Sequence, residues 1–339
     1  MKKLFFPIFL AIVLSIACNL LYNQYLSPNN NFFARGAEKS DSWSKKLRFG
    51  NPAPCYVFAG GSEIRMGIDP KIMLNEYGIH AINAAGQGGY GLACNTVLGL
   101  SYLQTGDYLV LSLNEPFLND MQGITPDGIK FCWRRLGTKM FDNCIIPFSL
   151  KHVVNICKGN AGEWSMFLAK LIIAPNNMYK YNKNVKIHES GWCENFYNEP
   201  LSRITIPRGC HLNINLNDNM VSFLAKLHRE CSNKGVQLII FNCMDHTTFN
   251  LIPKKALIAL RFTEMGIPVL KIPNFNCQPN PDYFADPPSH LNTYGCIVQS
   301  RATAKSLKEN AFWTSEELLL ILSQHGYDSN GQYLGETSY

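Results

Sequence analysis

An α/β domain built on a mostly parallel sheet is what this sequence predicts, and three observations carry the prediction. Short apolar runs of strand length recur, amphipathic segments of helical period separate them, and the connections between the two are short. Alternating β and α units of this kind give parallel strands covered by helices on both faces, a three-layer sandwich. The 339 residues, 46% of them hydrophobic, suffice for one large α/β domain or two small ones.

The chain opens with "MKK" and then "LFFPIFLAIVLSIACNLLY", 19 uncharged residues from Leu4 to Tyr22. As a helix that stretch spans roughly 28 Å, enough to cross a bilayer. An uncleaved anchor is the leading reading; a cleaved signal peptide and a lipoprotein signal ending at Cys18 compete with it. All three deliver the remainder to the outer side of a membrane, because Lys2 and Lys3 favour keeping the N-terminus inside. Residues 1–27 are thus read as anchor or signal, and residues 28–53, rich in Asn, Ser, Pro and Lys, as a tether.

The folded domain is expected to begin near Pro54 and to run to residue 312. Strands are expected at "CYVFAG" (55–60), "HAINAA" (80–85), "YLVLSLN" (108–114), "QLIIFNC" (237–243) and "PVLKI" (268–272). Helices are expected at about 70–77, 91–104, 219–233, 253–264 and 293–308. Residues 116–215 break the rhythm and read as a large insertion after the third strand, either padding or a lid over the strand ends. Residues 313–339 form a last helix and tail: in "TSEELLLILSQHGY", Thr314 or Ser315 caps, acids fill the first turn and Gly326 terminates.

Composition excludes several classes. The formal net charge is +6 with no dense basic block, so nucleic acid is not an expected partner. None of the 12 cysteines stands in a C-x-x-C arrangement and the eight histidines show no metal-ligand spacing, so no metal is expected. Cys55 and Cys243 lie in apolar runs, as buried reduced thiols do. One or two disulfides among Cys132, Cys144, Cys157, Cys193 and Cys210 are the alternative use of the middle cysteines. The glycines near residue 86 lack the spacing and the following acid of a dinucleotide site, and no organic cofactor is expected.

The chemistry lies at the carboxyl ends of the strands, where open α/β sheets gather reacting groups. The first strand ends in "AGGSE", and two glycines permit a turn tight enough to project Ser62 from the sheet edge. A nucleophilic serine needs a base for its proton and donors for the oxyanion. The second strand ends in "NAAGQGGYG", where Gly86 offers a backbone N–H. The third ends in "LSLNEP" with the Asn114 carboxamide, and the last loop, "PDYFADPPSHLNTYG", brings Asp286 and His290. Singly, each has a plain structural reading: Ser62 as a helix cap, Gly86 and Asn114 as turn residues, His290 as a surface histidine.

In this order the four blocks resemble the SGNH (GDSL-type) hydrolase superfamily. "AGGSE" stands for its serine block, Gly86 for its oxyanion glycine, "SLNE" at 112–115 for Gly-x-Asn-Asp, and "DPPSHLN" for Asp-x-x-His. The resemblance covers roughly residues 55–115 and 236–308, and is strongest to a membrane-anchored branch similar to the teichoic acid D-alanyl transfer protein and the alginate O-acetylation proteins. It implies a flavodoxin-like SGNH fold and an esterase or O-acyltransferase working outside the membrane on an acylated envelope or exported glycan. It further implies an acyl-serine at Ser62, His290 as base, Asp286 as orienting acid, and an oxyanion hole of Ser62, Gly86 and Asn114. A membrane-bound O-acyltransferase is the implied partner. Two departures matter: Ser112 and Glu115 replace Gly and Asp, and Asp286 lies four residues before His290 rather than three, so that Asp282 or a backbone carbonyl competes to orient the imidazole. A catalytically inactive glycan-binding or scaffold protein of the same fold is the alternative, and a freely released general esterase the third.

Overall fold

A computed structural model describes residues 13–14, 17, 32–51, 53–112, 124–143, 145–154, 185–195, 218–245, 251–278, 280–286 and 290–335. The strands are β1 (Tyr56–Ala59), β2 (Ala81–Asn83), β3 (Tyr108–Ser112), β4 (Val185–Ile187), β5 (Cys193–Asn195), β6 (Gln237–Phe241), β7 (Phe284–Asp286) and β8 (His290–Leu291). The helices are α1 (Phe32–Arg48), α2 (Ser62–Gly67), α3 (Pro70–Tyr77), α4 (Leu92–Leu100), α5 (Pro126–Leu136), α6 (Asp218–Asn233), α7 (Ile252–Glu264), α8 (Thr293–Lys308) and α9 (Ser315–Gln324).

Four strands form one parallel sheet in the order β2-β1-β3-β6. Tyr56 stands opposite Ala81 on one side and Tyr108 on the other, and Tyr108 stands opposite Gln237. Alternation along the strands divides the core into two layers. Leu109, Leu111, Leu238 and Ile240 pack with Leu98, Leu224, Leu257 and Leu322 of α4, α6, α7 and α9. Phe58, Val110, Ile239 and Phe241 pack with Ile64, Met73, Ala304 and Leu307 of α2, α3 and α8. Strands buried on both faces explain why these runs read as continuously apolar.

The expected strand at 268–272 shrinks to single bridges, Val269 parallel to Ile240 and Leu270 antiparallel to Phe312. Pro268 has no N–H to extend a ladder, and the Lys271 N–H turns away to Ala311 O at 2.9 Å. The last helix is capped as its sequence demands: Thr314 and Glu317 form a reciprocal capping box.

A helix occupies much of the segment read as a tether. In α1, Phe33, Ala34, Ala37, Ser40, Trp43, Ser44 and Leu47 are buried, a stripe at helical spacing. Small residues supply half of that stripe and charges surround it, so its average composition is that of a linker. Trp43 Nε1 donates to Ala81 O at 3.0 Å and Ser40 Oγ to Asn83 O at 2.6 Å, which fastens α1 along β2.

The described parts of the 116–215 interval pack against the sheet domain. Thr125 caps α5 through Gly128 N at 3.0 Å, and Ile129 and Cys132 are fully buried against α4. The antiparallel β4–β5 pair delivers Trp192, whose Nε1 donates to Met66 O at 2.8 Å. Cys132 and Cys193, two candidates for a disulfide, are separate buried thiols, like Cys55, Cys94, Cys231, Cys243, Cys277 and Cys296. Cys144, Cys157 and Cys210 lie outside the described residues, as does most of the apolar stretch from Leu4 to Tyr22.

Candidate active site

β1 runs into Gly60 and Gly61, and Ser62 is the first residue of α2. The turn requires glycine for lack of room: a Cβ on Gly60 would stand 2.8 Å from Ile64 Cγ1 and 3.2 Å from Glu63 Oε1, and one on Gly61 would strike the Glu63 carboxylate. Ser62 Oγ and His290 Nε2 lie 2.7 Å apart although 228 positions separate them in the chain. His290 opens β8, immediately ahead of Asn292, which caps α8 through Gly295 N at 3.1 Å. Asn292 Nδ2 also donates to Asp282 O at 2.7 Å, and Leu291 is buried with Met244 and Phe284, so the two residues that follow the histidine are both held.

Asp286 pairs with His290 in the β7–β8 ladder. The four-residue spacing is thus that of two hairpin positions facing each other, with residues 287–289 between them; the Asp286 side chain is outside what the structure describes. Asp282, the competing acid, is exposed. Asn114 falls among residues 113–123 and is likewise outside the described residues.

Gly86 is the member the structure moves away from the role expected of it. Its N–H is committed, to Gly60 O and to Asn95 Oδ1, both at 3.1 Å. Gly88 is the glycine beside the serine turn, its backbone N 3.1 Å from where a Gly61 Cβ would stand. Among the described residues the N–H groups of Ser62 and Gly88 have no acceptor, because each opens a helical turn whose first donors have no partner within it. Tyr90, which follows this loop, belongs to the core: it is buried, stacked on Phe131 at 4.5 Å and edge-on to Phe33 at 6.3 Å.

Neither a family model, a curated protein nor a solved structure matches this chain. The site therefore speaks through its own geometry.

Buried polar residues that sequence reasoning passed over hold that geometry. Asn83 Nδ2 donates to Ile64 O at 2.9 Å and Ile68 O at 2.8 Å, tying α2 to the end of β2. Asn95 Nδ2 ties the glycine loop through Gln87 O and Gly91 O, both at 2.9 Å. Arg65, fully buried, donates to Ser40 Oγ, to Asn83 O, to Gly191 O and to Ala85 O. Gln299 of α8 joins Gly67 O to Met244 N and Asn276 Nδ2. The signal available in sequence was an amide interrupting an apolar run, as in "INAAG" and "CNTVLGL".

Two ionisable groups complete the edge. Glu63, 2% exposed, folds back so that Oε1 accepts from Gly61 N at 2.8 Å. Burial pushes its carboxyl up, against the pull of its own and Gly61's N–H groups and of His290. Asp245, at the exit of β6, pairs with Lys255 at 2.6 Å. Cys243 is no competing nucleophile: burial pushes its thiol well up, and it sits 3.1 Å from Ser112 Oγ. Among the described residues no group of three His, Cys, Asp or Glu side chains is placed to hold a metal ion.

Proposed function

We propose that this protein is a serine acyl-esterase or O-acyltransferase of the SGNH type, anchored by its N-terminal segment and acting outside the membrane on an acylated glycan. The observation that carries the reading is the 2.7 Å contact between Ser62 Oγ and His290 Nε2, at an edge that also presents two backbone N–H groups uncommitted among the described residues. Nucleophile, base and donors at one place are what attack on an ester carbonyl requires. His290 takes the Ser62 proton as the hydroxyl adds to the carbonyl, and Asp286, opposite His290 in the hairpin, fixes the tautomer. The N–H groups of Ser62 and Gly88 receive the oxyanion, with Asn114 as a third donor. The alcohol leaves with the proton from His290, and the acyl-serine passes its acyl group to water or to a sugar hydroxyl.

The test is intact mass after treatment with a fluorophosphonate, on the wild type and on Ser62→Ala. A single adduct on the wild type, lost in the variant, supports the reading. A folded wild type that takes no adduct removes it and leaves a glycan-binding or scaffolding role for the fold.

A further inference from the structure

We propose that the sheet edge carrying Ser62 and His290 faces a lipid bilayer and takes its acyl-bearing molecule from that surface. The inference deepens the esterase reading and rests on it for the substrate, while the orientation stands on α1.

Three contacts, taken in order, give the direction of α1 against the sheet. Phe33 lies edge-on to Tyr90, which follows the Gly86–Gly88 loop beside the serine turn. Ser40 and Trp43 then bond to Asn83 O and Ala81 O, the last and the first residue of β2. Arg48, at the C-terminus of α1, pairs at 2.6 Å with Asp107, the residue before β3. α1 thus runs antiparallel to the strands, entering at the edge that holds Ser62 and leaving at the opposite one. Its 17 residues cover about 25 Å at a helix's rise per residue.

Where the chain enters decides which edge the membrane meets. Leu4–Tyr22 is the apolar stretch long enough to span, and residues 23–31 separate it from α1. Those nine residues reach at most about 30 Å fully extended. To present the opposite edge to the bilayer they would have to run back along the whole of α1, about 25 Å, with almost no length left. Among the described residues no helix is long and apolar enough to cross a membrane. An acyl donor or acceptor held at the lipid surface meets Ser62 without the domain turning over, and a polymer free in solution gains nothing from this arrangement.

The experiment uses the full chain reconstituted in phosphatidylcholine–phosphatidylglycerol vesicles carrying a headgroup-labelled acceptor lipid. Cys18, Cys144, Cys157 and Cys210 are replaced by serine, and a donor dye is placed at Tyr294→Cys or at Phe49→Cys. Tyr294 is 72% exposed, four positions after His290; Phe49 is 91% exposed, one past α1. Energy transfer is expected to be clearly greater from position 294, at the edge of Ser62 and His290, than from position 49 at the opposite edge. Equal transfer, greater transfer from position 49, or none from either overturns the orientation. The dyes report position whether or not Ser62 reacts, so a chain that takes no fluorophosphonate but keeps the expected order defeats the esterase reading alone.

Discussion

The two edges of the parallel sheet hold polar groups in opposite states. At the edge where the strands begin, a cavity of about 1040 Å³ opens between α1, α4 and α5, lined by Arg48, Gln104, Arg135 and Lys139 among others. Charges there are spent on partners within the fold. Asp107 accepts from Arg48, from Cys55 N at 2.8 Å and from Gln104 N at 2.7 Å; Asp41 accepts from Arg135 at 2.5 Å and from the Tyr102 hydroxyl at 2.6 Å. At the edge where the strands end, the serine turn is tight, yet among the described residues it leaves two backbone donors unused beside a hydroxyl in contact with an imidazole. The comparison teaches that the two edges differ in how far their polar groups are spent on the fold. Beside Ser62 polar groups are, among the described residues, left available, whereas those at the edge where the strands begin are used to close the fold.

That contrast can be broken most forcefully at His290. Replacing it by alanine removes the proposed base, so fluorophosphonate labelling per folded molecule is expected to slow by about 10²- to 10⁴-fold. A variant that labels at the wild-type rate would remove the imidazole from the chemistry. Next in size is Asp107→Ala at the other edge. The Asp107 side chain is 3% exposed and its Arg48 partner 15%, and deleting one member of such a pair strands the other, at a cost of about 3–5 kcal/mol. Urea unfolding reads that loss, while labelling per folded molecule stays at the wild-type level. A labelling rate that falls with stability would mean that the two edges do not have separate roles.

How much of this was legible in the sequence follows from what each feature rests on. The sheet strands and most helices were, because Val57 to Ala59 or Leu238 to Phe241 are buried on both faces and must be apolar in any register. The serine turn was legible because Gly60 and Gly61 leave room that only glycine leaves. α1 was not: Ala34, Ala37, Ser40 and Ser44 make a buried stripe from residues that also compose linkers, and the partners that bury them are far along the chain. That the N–H of Gly86 and not that of Gly88 is committed was hidden for a related reason. Both are glycines in one loop, and what separates them is the Asn95 carboxamide, nine positions on, that takes the first one's N–H. Glu63 was read as one letter of a motif, and its burial beneath the turn depends on backbone geometry that no spacing reports.

Glu63 also gives the smallest of the expected effects and the one whose sign is most specific. Burial pushes its carboxyl up, and the opposing N–H groups of Glu63 and Gly61, with His290, do not cancel that push. The folded chain therefore keeps the proton at pH values above about 4.3, where the unfolded chain has released it. With more protons bound in the folded state, stability falls as pH rises through that window, by no more than about 1.4 kcal/mol per pH unit for a single group. Glu63→Gln keeps an acceptor for the Gly61 N–H and cannot ionise, so it removes this part of the fall. Unfolding free energies of the two proteins, measured at steps from pH 4 to pH 8, should show the glutamine variant gaining on the wild type as pH rises. A difference that is flat, or that runs the other way, would mean that the carboxylate beneath the serine turn is ionised in the folded protein. A negative charge would then stand beside the place proposed for the oxyanion, and the donors proposed for it at Ser62 and Gly88 would have to work against that charge.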